Sequence, residues 1–247
     1  MTINLESFKK KNARNFCLGV SAAAKYVAAE HTCKLSLQTR YFYNSGKIFD
    51  NPSWNLSHGI CLDKSIKYLK DTFEGIFLYD RESVKLKLKV GECWLFGTPD
   101  VIGRVGNKLI ILDAKSGASK FFHRHQVALY AEMASLQLGL EIGGMYLTYH
   151  NPDVDNHNFN VVELGSQDQI QEIWNIDAKR DLMKLANIIV SGKPAAPSPN
   201  ENNCHWCDWK LKCKAVFNES EHALSLFSDV KVLRNGTIKR YSVSAQF

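Results

Sequence analysis

GTPDVIGRVGNKLIILDAKSG, residues 97 to 117, is the stretch on which the fold turns. Its centre, Gly106-Asn107, is one of the dipeptides that close a two-residue hairpin. With that turn, Val105 faces Lys108, and counting outward five places sets Asp100 opposite Asp113. Residues opposite one another in an antiparallel pair share a face, with Cβ atoms about 4.5–5.5 Å apart. Two carboxylates at that spacing repel unless a cation lies between them. Hard oxygen donors with open positions suit Mg²⁺ or Mn²⁺. Lys115, two residues past Asp113, points to the same face because side chains alternate along a strand. Leu109-Ile110-Ile111-Leu112 is apolar on both faces and reads as a central buried strand. An acid at its end is costly unless it is paired or metal-bound. Two acids, a divalent cation and an ammonium on one patch are the parts needed to hydrolyse a phosphodiester.

The rest of the composition frames that reading. The chain has 247 residues, 45% of them apolar, enough for a sizeable core. No secretory signal is recognisable at the N-terminus, and no run approaches the eighteen or so apolar residues of a membrane span. Seven cysteines, an odd number, point to an intracellular, reducing setting and to thiolates used as ligands rather than to a disulfide framework. A net charge of +6 has the sign a polyanion binder needs.

Outside the hairpin the pattern predicts a helix over 20–43, a loop over 44–55, and a helix capped by Ser57 that runs to about Phe73. Val84 to Val90 alternates apolar residues with lysines and reads as a half-buried strand. The hairpin strands cover about 93–104 and 108–114. A helix from about Lys120 to Leu138 stops at Gly139. Then come a strand over 144–149, a helix over 167–190, a proline- and asparagine-rich connector over 192–203, and a hairpin within 230–241 turning at Asn235-Gly236. Helix, three strands, helix, strand is an α/β layer pattern with a mixed sheet between helices.

These residues resemble the PD-(D/E)xK nuclease superfamily, and its RecB-type branch most closely. The likeness rests on Pro99-Asp100, on Asp113-Ala114-Lys115, and on the order of elements. His125-Gln126-Val127-Ala128-Leu129-Tyr130 is similar to the branch's Gln-x3-Tyr motif. Its Gln126 and Tyr130, four apart, share a helical face. Cys204-x2-Cys207-x5-Cys213 after the connector resembles the triplet of members that carry an iron–sulfur cluster. Those are the CRISPR-associated exonucleases, the AddB-type helicase subunits and the nuclease domain of the eukaryotic Okazaki-fragment helicase-nuclease. Their fourth cysteine lies upstream of the core, where Cys33 is well placed and Cys17 is its rival. Two departures stand out. Lys34 follows Cys33 where the family has proline. The family's metal-binding histidine, four residues after a glycine, is matched by Asp63 in spacing and by His58 in residue type; spacing favours Asp63.

The resemblance implies a restriction-endonuclease-like α/β core, a mixed sheet flanked by helices, with a C-terminal cysteine-cluster segment. It divides the chain into a nuclease domain with an N-terminal helical region (1–193), a cluster segment (194–217) that packs on that region, and a tail with a hairpin (218–247). It implies that Asp100, Asp113, the Ala114 carbonyl and Asp63 or His58 hold Mg²⁺ or Mn²⁺, while Lys115 offsets charge on the phosphate. Gln126 and Tyr130 would position the lysine or the DNA backbone. Cys33, Cys204, Cys207 and Cys213 would hold a [4Fe–4S] cluster, with zinc as the alternative and His205 as a further zinc donor. The expected activity is that of an exonuclease on single-stranded DNA ends, in repair, recombination, CRISPR adaptation or viral replication, with a helicase or recombination partner and a homo-oligomer both conceivable. Candidate basic surfaces are Lys9-Lys10-Lys11 with Arg14, the lysine face of 84–90, and Lys120 to Arg124. The rival readings are a non-catalytic DNA-binding or helicase-associated subunit, and an RNA or restriction-type endonuclease. A zinc deaminase is disfavoured, because no His-x-Glu precedes Cys204.

Overall fold

The computed structural model describes residues 17–43, 52–150 apart from 82 and 92, 159–191, 195–200, 203–204, 207, and the strands at 230–232 and 238–240. The hairpin forms in the expected register. Strand β5 is Val101–Val105 and β6 is Lys108–Ser116, paired antiparallel with Val105 opposite Lys108 and Val101 opposite Leu112. Gly106 takes φ +58° and Asn107 keeps a negative φ. A positive φ at the first loop residue alone suits a two-residue turn with glycine first.

β6 is the central strand of a five-stranded sheet, ordered β2-β5-β6-β7-β8. Here β2 is Phe77–Leu78, β7 is Glu141–His150 and β8 is Phe159–Gly165. β7 runs parallel to β6, which requires a crossover. The helix Phe122–Leu138 provides it, ending at Gly139 with φ +67° as expected. Both faces of β6 are covered, which explains its unbroken apolar run. Leu109 and Ile111 pack with Val127, Met133 and Leu147 of the crossover helix and β7. Ile110, Leu112 and Ala114 pack on the opposite face with Cys61 and Leu69 of the helix Pro52–Thr72.

Several expected boundaries move. The run at 93–104 is two strands: β4, Cys93–Gly97, pairs antiparallel with β3, Leu86–Val90, in a separate three-stranded sheet. Residues 98–100 leave that sheet and enter the larger one at Val101. Proline has no N–H for a ladder, so Pro99 marks the crossing. The third strand of the small sheet, β1 at Cys17–Gly19, runs parallel to β4. The helix expected over 20–43 is broken into α1, Val20–Val27, and α2, Lys34–Tyr43, with Ala29 at φ +59° between them. Ser57 lies inside its helix, α3, which starts a turn and a half earlier at Pro52, a residue suited to a first helical position. The crossover helix is therefore α4. The helix expected over 167–190 is two: α5, Gln167–Ile173, with a Ser166–Gln169 capping box, and α6, Ile176–Val190. Trp174 ends the first, and Asn175 caps the second, its side chain accepting the Ala178 N–H at 2.9 Å. Strand β8 was not foreseen.

Near the C-terminus, β9 (Val230–Val232) and β10 (Ile238–Arg240) pair antiparallel, as the hairpin reading expected. The Asn235-Gly236 turn lies outside the described residues, as do the basic cluster at 9–14 and residues 44–51 of the loop expected over 44–55, whose last four residues are helical. Among the described residues no helix is long and apolar enough to cross a membrane.

Gly97, the last residue of β4, is required by a close approach. A Cβ there would lie 2.6 Å from Tyr130 Cε1 and 2.8 Å from Val20 Cγ2. Gly97→Ala should cost about 1–3 kcal/mol through overpacking. A thermal midpoint unchanged from the parent chain would contradict this packing.

Candidate active site

Asp113 lies one residue before the end of the buried run of β6 and is 3% exposed. Lys115 Nζ pairs with Asp113 Oδ2 on the α4 side of the sheet. Asp100 lies just past the last paired residue of β5, and its carboxyl comes within hydrogen-bonding reach of Asp113. The Ala114 N–H donates to Asp100 Oδ2 at 2.9 Å, binding the two arms of the hairpin beyond their ladder.

From α4, one turn after another faces this corner. Gln126 Oε1 accepts from Lys115 Nζ at 3.3 Å, and Gln126 Nε2 donates to the Tyr130 hydroxyl at 3.3 Å. Both side chains are buried. Tyr130 also hydrogen-bonds Ser21 of α1. Lysine, glutamine and tyrosine thus form one chain that fixes the ammonium.

His58 and Asp63, the two candidates on α3, separate. His58 Nε2 lies 3.4 Å from Asp100 Oδ1. It shares a stripe with Cys61, Ser65 and Leu69, which face the sheet: Cys61 Sγ reaches the Lys115 carbonyl at 3.6 Å, and Ser65 Oγ lies 2.6 Å from Thr148 Oγ1. Asp63 is five residues on from His58, roughly 140° around the helix, and is exposed. The residue favoured by spacing thus lies on the exposed face of α3, and the one matched by type lies on the face toward Asp100.

Three groups at the site carried no signal in the sequence. Arg81, on the turn after β2, places Nη2 3.0 Å from Asp100 Oδ1. His123 and Tyr149 form a buried pair beside Lys115, with His123 Nδ1 3.1 Å from the Tyr149 hydroxyl, which also accepts from Ser119 at 3.2 Å. His123 Nδ1 accepts the Lys120 N–H at 3.3 Å, so the ring proton belongs on Nε2.

Electrostatics divide the two acids. Burial pushes the Asp113 carboxyl up to about 7; the Lys115 ammonium pulls it down, but the charge of Asp100 pushes it up again. Burial also raises Asp100, but the hydrogen bond and charge of His58, the Ala114 N–H and Lys115 outweigh it, leaving Asp100 below the ordinary carboxylate range. Burial, with the charges of Lys115, Lys120 and Lys25, lowers His123 to about 4 and keeps it neutral. Burial and the Asp113 charge raise the Tyr130 phenol, which stays protonated.

Among the described residues no three His, Cys, Asp or Glu side chains converge in a ready-made metal cage. Two carboxylates within reach of each other, beside an imidazole and the Ala114 main chain, nonetheless match what Mg²⁺ asks for. That ion keeps several waters and takes only one or two protein carboxylates. In the structure these acids pair instead with positive groups, Lys115 on Asp113 and Arg81 on Asp100.

The cysteines lie elsewhere. Cys33 is buried, and Cys204 and Cys207 are half-buried. Cys213, His205, Trp206 and Trp209 are outside the described residues; Cys17 is described only as part of β1. Asn203, 1% exposed, accepts the Thr32 N–H at 2.9 Å and donates to Thr32 Oγ1 at 3.2 Å. The residues just before Cys33 and Cys204 are therefore bound to each other. Buried Gln38 of α2 accepts the Ala195 N–H at 2.9 Å and donates to the Ile188 carbonyl at 3.0 Å.

A family model for the PD-(D/E)XK nuclease superfamily matches residues 52–214. The crystal structure of SSO0001 is similar with a TM-score of 0.51 and 18% sequence identity, over 85% of this chain and 94% of that one. At that identity the likeness speaks for the fold alone.

The raised Asp113 carboxyl has a measurable consequence. A group whose folded pKa exceeds its unfolded value, about 3.9 for aspartate, stabilises below that value and loses its contribution as pH rises through the folded pKa. In metal-free protein, the thermal midpoint of the parent chain relative to Asp113→Asn should fall from about pH 4 to about pH 7. Added Mn²⁺ should raise the parent midpoint above that window and leave Asp113→Asn unmoved. A pH-independent difference between the two proteins would contradict the burial argument.

Proposed function

The chain belongs to the PD-(D/E)XK nuclease superfamily, and from that premise we propose that it is a metal-dependent deoxyribonuclease acting as an exonuclease on single-stranded DNA ends. The observation that carries the reading is the complete set Asp100, Asp113 and Lys115 in one buried corner, with Gln126 and Tyr130 behind the lysine. A non-catalytic relative would gain little from an ammonium held by buried Asp113 and Gln126, with Tyr130 fixing the glutamine in turn.

Asp100, Asp113 and the Ala114 carbonyl would hold Mg²⁺ or Mn²⁺, with His58 flanking. A bound divalent ion supplies Lewis acidity and a water of lowered pKa. Lys115 places positive charge where the phosphate gains negative charge, in a site dry enough for that charge to count. Gln126 keeps the ammonium directed toward the gap, since its amide can accept from Lys115 only while donating to Tyr130. The neutral His123 and the Tyr149 hydroxyl fill the space beside Lys115 without adding a competing charge.

The preference for single strands draws on Phe121, 61% exposed beside the site helix. Arg124 lies 5.6 Å from the centre of its ring, and Lys120 is adjacent. An exposed aromatic among cations is a surface on which an unpaired base stacks.

We read Cys33, Cys204, Cys207 and Cys213 as ligands of a [4Fe–4S] cluster joining the segment around 194–217 to the N-terminal helices. The Asn203–Thr32 bonds, which bring Cys33 and Cys204 into one neighbourhood, support Cys33 over Cys17. Four thiolates also suit zinc. Protein purified without oxygen should be brown with broad visible absorbance, and Cys33→Ser should lose the colour; a colourless protein with one equivalent of zinc would replace iron by zinc.

Asp113→Ala and Lys115→Ala should keep the parent far-UV spectrum yet lose several orders of magnitude in cleavage of end-labelled single-stranded DNA with Mg²⁺ or Mn²⁺. A chelator should abolish parent activity, and circular single strands should resist. Full cleavage by either variant would refute the assignment, and cutting of circles would make the enzyme an endonuclease.

A further inference from the structure

Arg81 reaches the site from a turn that the fold holds in place. Tyr79, just after β2, donates its N–H to the Ile102 carbonyl at 2.9 Å, so the chain leaves β2 pinned beside β5, close to Asp100. The Ser83 N–H and hydroxyl then both donate to the Asp80 carbonyl, at 3.1 and 2.7 Å, which brings the chain back on itself around Arg81. Arg81 sits on this turn with Nη2 3.0 Å from Asp100 Oδ1, the same oxygen that His58 Nε2 faces at 3.4 Å. The other oxygen takes the Ala114 N–H. Both oxygens of the acid are engaged, and the carboxylate is fixed: its side chain is 7% exposed, against 47% for Arg81. The acid belongs to the interior, whereas the guanidinium ends a long arm rooted in solvent.

We propose that Arg81 is a phosphate-binding residue of this site which, in the metal-free chain, stands on Asp100 in the metal's place. The inference rests on the metal-dependent nuclease reading. A divalent cation at Asp100 and a guanidinium about 3 Å from the same oxygen repel strongly in so buried a corner. With a cation held at Asp100, Arg81 would leave that oxygen, and its exposed guanidinium would be free to meet a non-bridging oxygen of the phosphodiester. A guanidinium offers a planar fork of N–H donors matched to phosphate, a geometry that ammonium lacks.

The proposal assigns Arg81 effects of opposite sign: it weakens metal binding and strengthens substrate binding. An arginine that only neutralised Asp100 would have the first effect without the second. The test is Mn²⁺ binding by calorimetry to the full-length parent, Arg81→Ala and Arg81→Lys. It is paired with cleavage of a single-stranded oligonucleotide at saturating Mn²⁺. Arg81→Ala should bind Mn²⁺ severalfold more tightly yet show a KM for the oligonucleotide about tenfold higher, the worth of one charge-assisted hydrogen bond. Arg81→Lys should bind Mn²⁺ like the parent, with an intermediate KM. Unchanged or weaker Mn²⁺ binding in Arg81→Ala, or an unchanged KM, would overturn the proposal while an active, metal-binding parent left the nuclease reading standing. A parent that neither binds Mn²⁺ nor cleaves would remove both.

Discussion

Two carboxylates confined to one dry corner cannot both be charged without help, and the structure around Asp100 and Asp113 is arranged to give that help. Positive or proton-donating groups arrive from separate parts of the chain: Lys115 from β6, His58 from α3, Arg81 from the turn after β2, and the Ala114 N–H from the strand itself. Each depends on a different packing contact. The stripe of Cys61, Ser65 and Leu69 seats α3 against the sheet, and the Gln126–Tyr130 stripe seats α4 against it from the other side. Relaxing either helix would leave an acid without its counter-charge. The corner is thus both the chemical centre and the point that the layers must agree on.

Much of this was legible in the sequence because short periods carry it. The turn at Gly106 sets the register, the period of two puts Lys115 beside Asp113, and the spacing of four puts Gln126 above Tyr130. What the sequence concealed is non-local. Trp94-Leu95-Phe96 and Val101-Ile102 both read as strand, and nothing but Pro99 marks the passage between sheets. The break at Ala29 is imposed on a residue with no intrinsic taste for positive φ, so no glycine announces it. Motif spacing favoured Asp63, on the exposed face of α3, whereas the helical stripe through residues 58, 61, 65 and 69 is the one that faces the sheet and Asp100. Arg81 is a single charged residue in a turn, and only the folded chain reveals which acid it meets.

The ends of the described core are joined across long separations in sequence. Gln38 links α2 to the end of α6 and to Ala195, while Asn203 links the following segment to Thr32. Both are buried amides with their hydrogen-bonding groups engaged, the condition under which burying a polar side chain is favourable. They hold the connector against the N-terminal helices independently of any ligand the cysteines take. α1, next in the chain, carries the Ser21 that meets Tyr130, so the stitching of the termini is continuous with the positioning of Lys115.

The passage from β4 to β5 has one further consequence. The two acids ride on separate slabs: Asp113 is embedded in the five-stranded sheet, while Asp100 closes a joint of three unpaired residues that begins in the smaller sheet. The spacing between them therefore depends on that joint as well as on the Ala114 N–H that ties Asp100 to β6. A change at positions 98 and 99 alone would thus shift the distance between the two carboxyl groups with both acids left unchanged.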